Sequence, residues 1–271
     1  MTSITLEHPD EGITLVRLDR PAKLNAMNVE LISELHAALD GIATDRSCRV
    51  VIITGAGRGF CAGLDLGGYG TAPGGEDVGR VQASMAVQKH IAALVPKLRS
   101  LPQPVIAAVN GPAAGGGLAL ALASDIRIAS TSARFNVAFV RIGLSGCDIG
   151  VSWLLPRLIG ASRAWELMLT GRIIDAARAA EIGLVSTVVD DAILLDTAMT
   201  IAGEIRANSP WGVAQTKEVM WSQLEVGSLQ AGIDLENRTQ ILASQTPDVQ
   251  EAILAFMEKR PPVFEPTEPR A

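Results

Sequence analysis

The sequence predicts an α/β fold followed by a helical C-terminal region. Short β-branched apolar runs recur along the first two thirds of the chain, as is typical of strands covered on both faces. Segments with helical three-and-four spacing separate these runs up to about residue 190, which favours parallel βαβ units. The 271 residues, 48% hydrophobic and 19% charged, suit a large globular core.

The elements follow in order. Strands are predicted at residues 13–18, 50–54, 105–109, 126–129 and 185–189. The first long helix begins after Asn28, a capping residue, and is expected to end at Gly41. After residue 189 the pattern predicts helices only, at 195–207, 211–224 and 247–259.

These elements predict three regions. Residues 1–195 form a sheet-centred core, 196–260 a helical region, and the proline-rich 261–271 a tail. The glycine-rich residues 67–75 predict a mobile surface loop, and a lid over a site is an equal alternative.

Composition excludes several classes of partner. A net charge of −6 and a pI near 5.2 give no basic field for nucleic acid. Three cysteines and three histidines without ligand spacing suggest neither a disulfide framework nor a metal site. The stretch 100–124 is uncharged, but its prolines and glycines exclude a membrane span. Because Glu7 stands where a signal peptide is basic, we expect a cytoplasmic protein.

Two glycine clusters follow predicted strands, at the edge where ligands gather in α/β sheets. FCAGLDL, residues 60–66, follows the second strand, and NGPAAGGGL, residues 110–118, follows the third. If the amides of Leu64 and Gly116 aim at one point, they form an oxyanion hole. The alternative is two tight turns with close packing. The GAGRGF run at 55–60 fails as a dinucleotide fingerprint, because Phe60 replaces the third glycine.

These two motifs, with RPAKLNAMN at 20–28, ARFNVAFVRIGLSG and LTGRIIDAARAAEIGLVSTVV, resemble the crotonase (enoyl-CoA hydratase/isomerase) family. The resemblance implies a ββα spiral core with an acyl-CoA site in 1–195 and a C-terminal helical trimerisation region in 196–260. It implies a homotrimer or a dimer of trimers, and an acyl-CoA thioester as partner. Coenzyme A is then part of the substrate, and no separate cofactor or metal is expected.

The resemblance also implies roles for single residues. The oxyanion amides fall on Leu64 and Gly116. Coenzyme A contacts, largely through backbone, fall on Ala26, Ala62, Gly63 and Leu66. Phe256 and Lys259 match positions that reach the coenzyme A of a neighbouring subunit, although Lys259 is equally explained as a solvated lysine. Gly67 stands where many members carry a lysine, so one phosphate contact is expected to be missing.

The acids of the family's hydratases are absent. Ala119 and Phe139 occupy the positions of the two glutamates that hold water and deliver its proton. Methyl and phenyl groups cannot move protons, so ordinary hydration is in doubt while the acyl pocket becomes more apolar.

Asp148 is the best replacement base, because the resemblance places its loop near the acyl group. Phe139 and Trp153 are possible apolar neighbours that would raise its pKa. The alternative is a structural aspartate in a turn. His90 could enter the acyl pocket or simply pack, and Cys61 and Cys147 are expected to be packing residues. Two functions follow: an enoyl-CoA hydratase/isomerase-type enzyme, or a catalytically silent acyl-CoA binding or scaffold protein.

Overall fold

A computed structural model describes residues 2–264, and the last part of the predicted tail lies outside these residues. The strands are β1 (Ile4–Asp10), β2 (Ile13–Leu18), β3 (Val50–Gly55), β4 (Val105–Val109), β5 (Pro112–Ala114), β6 (Ile126–Ser130), β7 (Arg134–Asn136), β8 (Ile174–Asp175) and β9 (Thr187–Val189). The helices are α1 (Val29–Thr44), α2 (Arg80–Ala92), α3 (Leu94–Ser100), α4 (Gly116–Ala123), α5 (Val151–Ile159), α6 (Ala161–Thr170), α7 (Ala176–Glu181), α8 (Leu194–Arg206), α9 (Pro210–Gln223), α10 (Leu229–Ala243) and α11 (Pro247–Glu258).

The main sheet has six strands in the order β1-β2-β3-β4-β6-β9. The β1–β2 hairpin is antiparallel, and every later pairing in this sheet is parallel, so the predicted parallel core is confirmed. A second sheet has the strand order β5-β7-β8. Two of its strands directly follow strands of the main sheet in the sequence, because β5 follows β4 and β7 follows β6. The two sheets repeat the ββα pattern of a spiral.

The central strands are buried on both faces, which explains their continuous apolar sequence. Val50 and Ile52 of β3 pack with α8 in one apolar cluster. Val51 and Ile53 point the other way, into the larger cluster formed with α1, α3 and α4. The two glycine clusters follow the ends of β3 and β4. Because these strands are parallel, both clusters lie at the same edge of the sheet.

Several predicted boundaries need correction. The Asn28 side chain caps α1 by accepting a hydrogen bond from Leu31 N at 3.1 Å, as predicted. Gly41 does not end that helix, because the backbone continues in helical hydrogen bonding to Thr44 and Asp45 N donates to Gly41 O. The last strand is shorter than predicted. Helix α10 was not predicted, because most of its large apolar residues are exposed and give no one-sided pattern.

The glycine-rich residues 67–75 are attached to the core at two points. Tyr69 and Ala72 are buried. The Tyr69 carbonyl accepts a hydrogen bond from Val29 N at 2.8 Å, at the start of α1. The expectation of a plain surface loop is therefore wrong at these two residues. No helix within residues 2–264 is long and apolar enough to cross a membrane.

Candidate active site

The AGLDL segment is held in place by hydrogen bonds to neighbouring segments. Met27 pairs with Leu64, and Cys61 pairs with Ala113, each in one parallel bridge. Met27 N donates to Gly63 O at 2.7 Å, and Asp65 N donates to Met27 O at 2.9 Å. Because both of these hydrogen bonds join Met27 to the residues that flank Leu64, the Leu64 N–H points away from Met27.

Helix α4 begins at the glycine triplet. Gly115 makes the turn into the helix with φ +50°, a conformation that favours glycine. A Cβ on Gly117 would lie only 2.0 Å from the Cys61 carbonyl oxygen, so only glycine allows this contact. All eight helix residues are buried. The unpaired amides at its start, with the positive helix end behind them, are a site for negative charge.

The two predicted oxyanion amides lie close together. A Cβ on Gly63 would lie 3.4 Å from Gly116 N. Since Leu64 N is two bonds from the Gly63 Cα, standard bond lengths place the two nitrogens at most about 7 Å apart. Within residues 2–264, neither amide has a hydrogen-bond acceptor. The arrangement leaves two N–H donors from separate turns near each other and without a partner in the described residues.

The predicted loss of the glutamate pair leaves apolar groups at this site. Ala119 is buried inside α4, one turn from the free amide of Gly116. The Phe139 ring packs on the turn, 3.3 Å from where a Cβ of Gly115 would lie. Neither residue offers a proton, so any acid or base must come from elsewhere.

Asp148 lies on the loop before α5. Its Oδ1 accepts hydrogen bonds from Gln88 Nε2 at 2.5 Å and from Ile149 N at 2.8 Å. The expectation of apolar surroundings is therefore wrong for this oxygen. The loop reaches one of the two predicted oxyanion residues, because Ile149 Cδ1 lies 3.4 Å from where a Cβ of Gly116 would be. Trp153 instead packs beneath the guanidinium groups of Arg99 and Arg157.

Helix α2 borders an open cavity of about 580 Å³. Its lining residues are Arg80, Val81, Ser84, Met85 and Gln88. Gln88 is therefore both part of the cavity wall and a partner of Asp148. The cavity and the Asp148 loop meet at this glutamine.

The predicted coenzyme A contacts divide into two groups. Ala26, Ala62, Gly63 and Leu66 come together with Leu64, since their backbones belong to the two paired segments. Phe256 lies on α11 and is 85% exposed. Lys259 is exposed and is not in the helix as expected, because it ends α11 in the left-handed conformation at φ +54°.

An ion pair that the sequence analysis missed braces the AGLDL segment. Arg20 Nη2 lies 2.9 Å from Asp65 Oδ2, and Arg20 Nη1 donates to the Ala26 carbonyl. Asp65 Oδ1 also accepts from Gly67 N at 3.0 Å. The hydrogen bond from Arg20 is the main cause that lowers the pKa of Asp65. The partners are 45 residues apart, but both lie in motifs that the resemblance had already marked.

Two buried amides fix the turns that carry these motifs. Asn25 is fully buried with φ +56°, and its Nδ2 donates to Ala56 O and Gly59 O. Asn110 accepts from Gly55 N and donates to three glycine carbonyls of the same turn. The end of β3 is thereby tied to both site segments.

Contacts within the protein account for two of the remaining candidates for a nucleophile or base, His90 and Cys61. The ring Nδ1 of His90 lies 2.9 Å from the Tyr69 hydroxyl, and its ring stacks on His36. Burial, and then the nearby His36, lower the pKa of His90. Burial raises the pKa of the Cys61 thiol to about 12, which leaves it an inert thiol at neutral pH. Cys147 is exposed.

Comparison with known proteins gives a consistent result. The family profile described as enoyl-CoA hydratase/isomerase matches residues 8–267. A probable enoyl-CoA hydratase of Mycobacterium tuberculosis H37Rv is 44% identical over 262 residues, covering 96% of this chain and 92% of that protein. The 1,2-epoxyphenylacetyl-CoA isomerase of Escherichia coli K12 is 40% identical, covering 97% and 99%.

Solved structures agree with these sequence matches. A probable enoyl-CoA hydratase/isomerase from Mycobacterium abscessus superposes with a TM-score of 0.92 at 38% identity, covering 98% of this chain and all of that one. An enoyl-CoA hydratase from Bacillus anthracis gives 0.90 at 36% identity, with the same coverage.

Proposed function

Because the chain belongs to the enoyl-CoA hydratase/isomerase family and is an enzyme of that type, we propose that it shifts a double bond in an enoyl-CoA thioester with one carboxylate. The observation that carries this proposal is the combination of two free amides with a single acidic loop and apolar residues in place of both glutamates.

The amides of Leu64 and Gly116 polarise the thioester carbonyl. Their N–H groups receive the carbonyl oxygen, and the bonds strengthen as that oxygen gains charge in the enolate. Each such donor contributes about 2.7–4 kcal/mol in the transition state. The buried start of α4 adds its positive end to the same point.

Asp148 moves the proton. Its Oδ2 takes a proton from C2 of a 3-enoyl-CoA, and the electron pair of that C–H bond passes into the thioester as an enolate. The same carboxylic acid then protonates C4, the carbonyl re-forms, and the double bond stands between C2 and C3. One carboxylate is sufficient, because the proton that leaves C2 is the one that returns at C4.

Hydration has less support. Water addition needs one group to hold and deprotonate water and a second to protonate C2. The positions of both groups are Ala119 and Phe139. The Escherichia coli relative is named a 1,2-epoxyphenylacetyl-CoA isomerase, which supports an isomerase that acts on a coenzyme A thioester. Phe139 beside the hole supports a largely hydrophobic acyl group.

Product analysis tests this function. We expect purified enzyme to convert 3-hexenoyl-CoA into the 2-enoyl isomer, identified by liquid chromatography and mass spectrometry, with little water adduct from crotonyl-CoA. Asp148→Asn is expected to lower kcat by about 10²–10⁴-fold. Asp196→Asn, an exposed aspartate on α8, is the matched control and is expected to leave kcat unchanged.

Two other results would count against isomerisation. A 3-hydroxyacyl-CoA as main product would make the enzyme a hydratase. Tight acyl-CoA binding without any turnover would support the alternative of a catalytically silent binding protein, for which the apolar residues at 119 and 139 are the favouring observation.

A further inference from the structure

Asp148 accepts a hydrogen bond from a side chain, Gln88, that lies outside every motif of the site. Gln88 lies on α2, 60 residues before Asp148, and is exposed on the cavity wall. An ionised carboxylate only accepts hydrogen bonds, so the contact at 2.5 Å is a donation from the Gln88 amide. Ile149 N donates to the same oxygen. Both donors therefore occupy Oδ1.

This pattern makes the two carboxylate oxygens unequal. Within residues 2–264, Oδ2 accepts no hydrogen bond, so it is the oxygen free to take a proton. The torsion that orients an aspartate carboxylate usually takes a broad range of values, and two donors on one oxygen restrict that range. We propose that Gln88 is a positioning residue, which holds the Asp148 carboxylate with Oδ2 as the proton-transfer atom. This inference rests on the proposed role of Asp148 as the base.

Both sides of the contact are themselves fixed. On α2, the Tyr69 hydroxyl lies 2.9 Å from the His90 ring, and His36 Nε2 lies 2.9 Å from the His90 carbonyl. On the loop, Ile149 is held at φ +36°, a strained conformation for a β-branched residue, while its side chain packs at Gly116. A hydrogen bond between two fixed elements can set an orientation that a mobile pair could not.

The test is the pH dependence of kcat for variants of Gln88. Gln88→Leu removes the donor that favours the charged carboxylate, so we expect kcat to fall about tenfold to hundredfold. The acid limb of the profile is expected to move to higher pH, with KM within about twofold. Gln88→Lys keeps a donor and adds a positive charge, so it restores activity and moves the acid limb to lower pH. A merely structural role would not give opposite shifts.

Controls separate the possible failures. Gln82→Leu, an exposed glutamine of the same helix outside the cavity wall, is expected to behave as wild type. The other ionisable groups on these elements are Arg80, Lys89, His90 and Cys147, and none of them is altered. Wild-type profiles for both Gln88 variants, with an inactive Asp148→Asn, would overturn this inference alone. A fully active Asp148→Asn would instead overturn the proposed function.

Discussion

At the scale of single residues, the site is built from groups whose side chains are small or absent. A Cβ on Gly63 or Gly117 would lie within 2.8 Å of a backbone oxygen, and a Cβ on Gly115 would lie 3.3 Å from the Phe139 ring. Close backbone approach is what brings the amides of Leu64 and Gly116 together. The proposed oxyanion hole therefore consists of backbone groups, and substitutions must act on the backbone to test it.

Gly116→Pro removes one of the two proposed donors. Proline is tolerated at the first position of a helix, where the amide has no intrahelical partner. We expect kcat to fall about 10²–10³-fold while the protein stays folded. Gly116→Ala is the matched control, since it brings a comparable Cβ close to Met27 Sδ but keeps the N–H. Equal losses in the two variants would argue for packing instead of the amide.

Asp65→Asn tests the brace of the AGLDL segment through pH. Because the Arg20 hydrogen bond lowers the pKa of Asp65 in the folded state, its stabilisation is present above the unfolded pKa of about 4. That stabilisation is lost as pH falls through the folded value. We expect the variant to melt at lower temperature than wild type at pH 7, and the difference to shrink below about pH 4. A constant difference across this range would contradict the assignment.

The sequence predicts the two residues of the proposed oxyanion hole but not the contacts that support them. Leu64 and Gly116 lie in short, local motifs, so reading each motif is enough to find them. Gln88 and Arg20 act on partners 60 and 45 residues away, and local patterns contain no information about such pairs. The role of Asp148 as a base stays a prediction, and the polar surroundings of its carboxylate depend on how α2 packs.

At the scale of elements, α9 fastens the C-terminal helices to the sheet. The buried Lys217 Nζ lies 2.9 Å from Asp125 Oδ2 and also donates to the carbonyls of Leu98 and Gln103. Trp221 Nε1 donates to the other carboxylate oxygen at 2.7 Å. Asp125 also accepts from Val105 N at the start of β4, so one carboxylate joins the sheet to α9.

Asp125→Ala leaves the Lys217 ammonium buried without its counter-charge. Removing one partner of a buried pair costs about 3–5 kcal/mol, and we expect a loss of this size in the free energy of unfolding by urea. Lys217→Met in the same background is expected to recover part of it, because the unpaired charge disappears. Equal stability of the single and double variants would contradict this account of the pair.

The predicted helices and strands agree with the structure where their apolar residues are buried on one face or on both faces. Strands β2, β3 and β4 form where predicted because their apolar runs are buried between two layers of helices, whereas β9 at the sheet edge is only partly buried. Helix α10 has Leu229, Ile241 and Leu242 largely exposed, so its sequence lacks the pattern that identifies a packed helix. Gly41 was misjudged because a glycine in open space weakens a helix without ending it.

At the scale of the whole molecule, the C-terminal helices carry several large apolar side chains that are mostly exposed. Leu229, Phe256 and Met257 are 81%, 85% and 74% exposed. Such a surface favours association between copies of the chain. The trimer or dimer of trimers that the family resemblance implies stays our prediction, with Phe256 and Lys259 reaching a neighbouring coenzyme A.

Light scattering after gel filtration measures the assembly directly, and we expect a mass of three or six chains.

Phe256→Ala and Lys259→Ala are expected to raise KM for the acyl-CoA several-fold with little change in kcat, because they touch a part of the ligand remote from the reacting carbons. A fully active monomer with unchanged KM in both variants would contradict this arrangement.

The most direct test of the account is a crystal structure with a non-reacting acyl-CoA bound. We predict that the thioester oxygen lies about 2.7–3.1 Å from both Leu64 N and Gly116 N, with Asp148 Oδ2 facing the carbon next to the carbonyl. A thioester bound elsewhere, or an oxygen in contact with neither amide, would contradict the account.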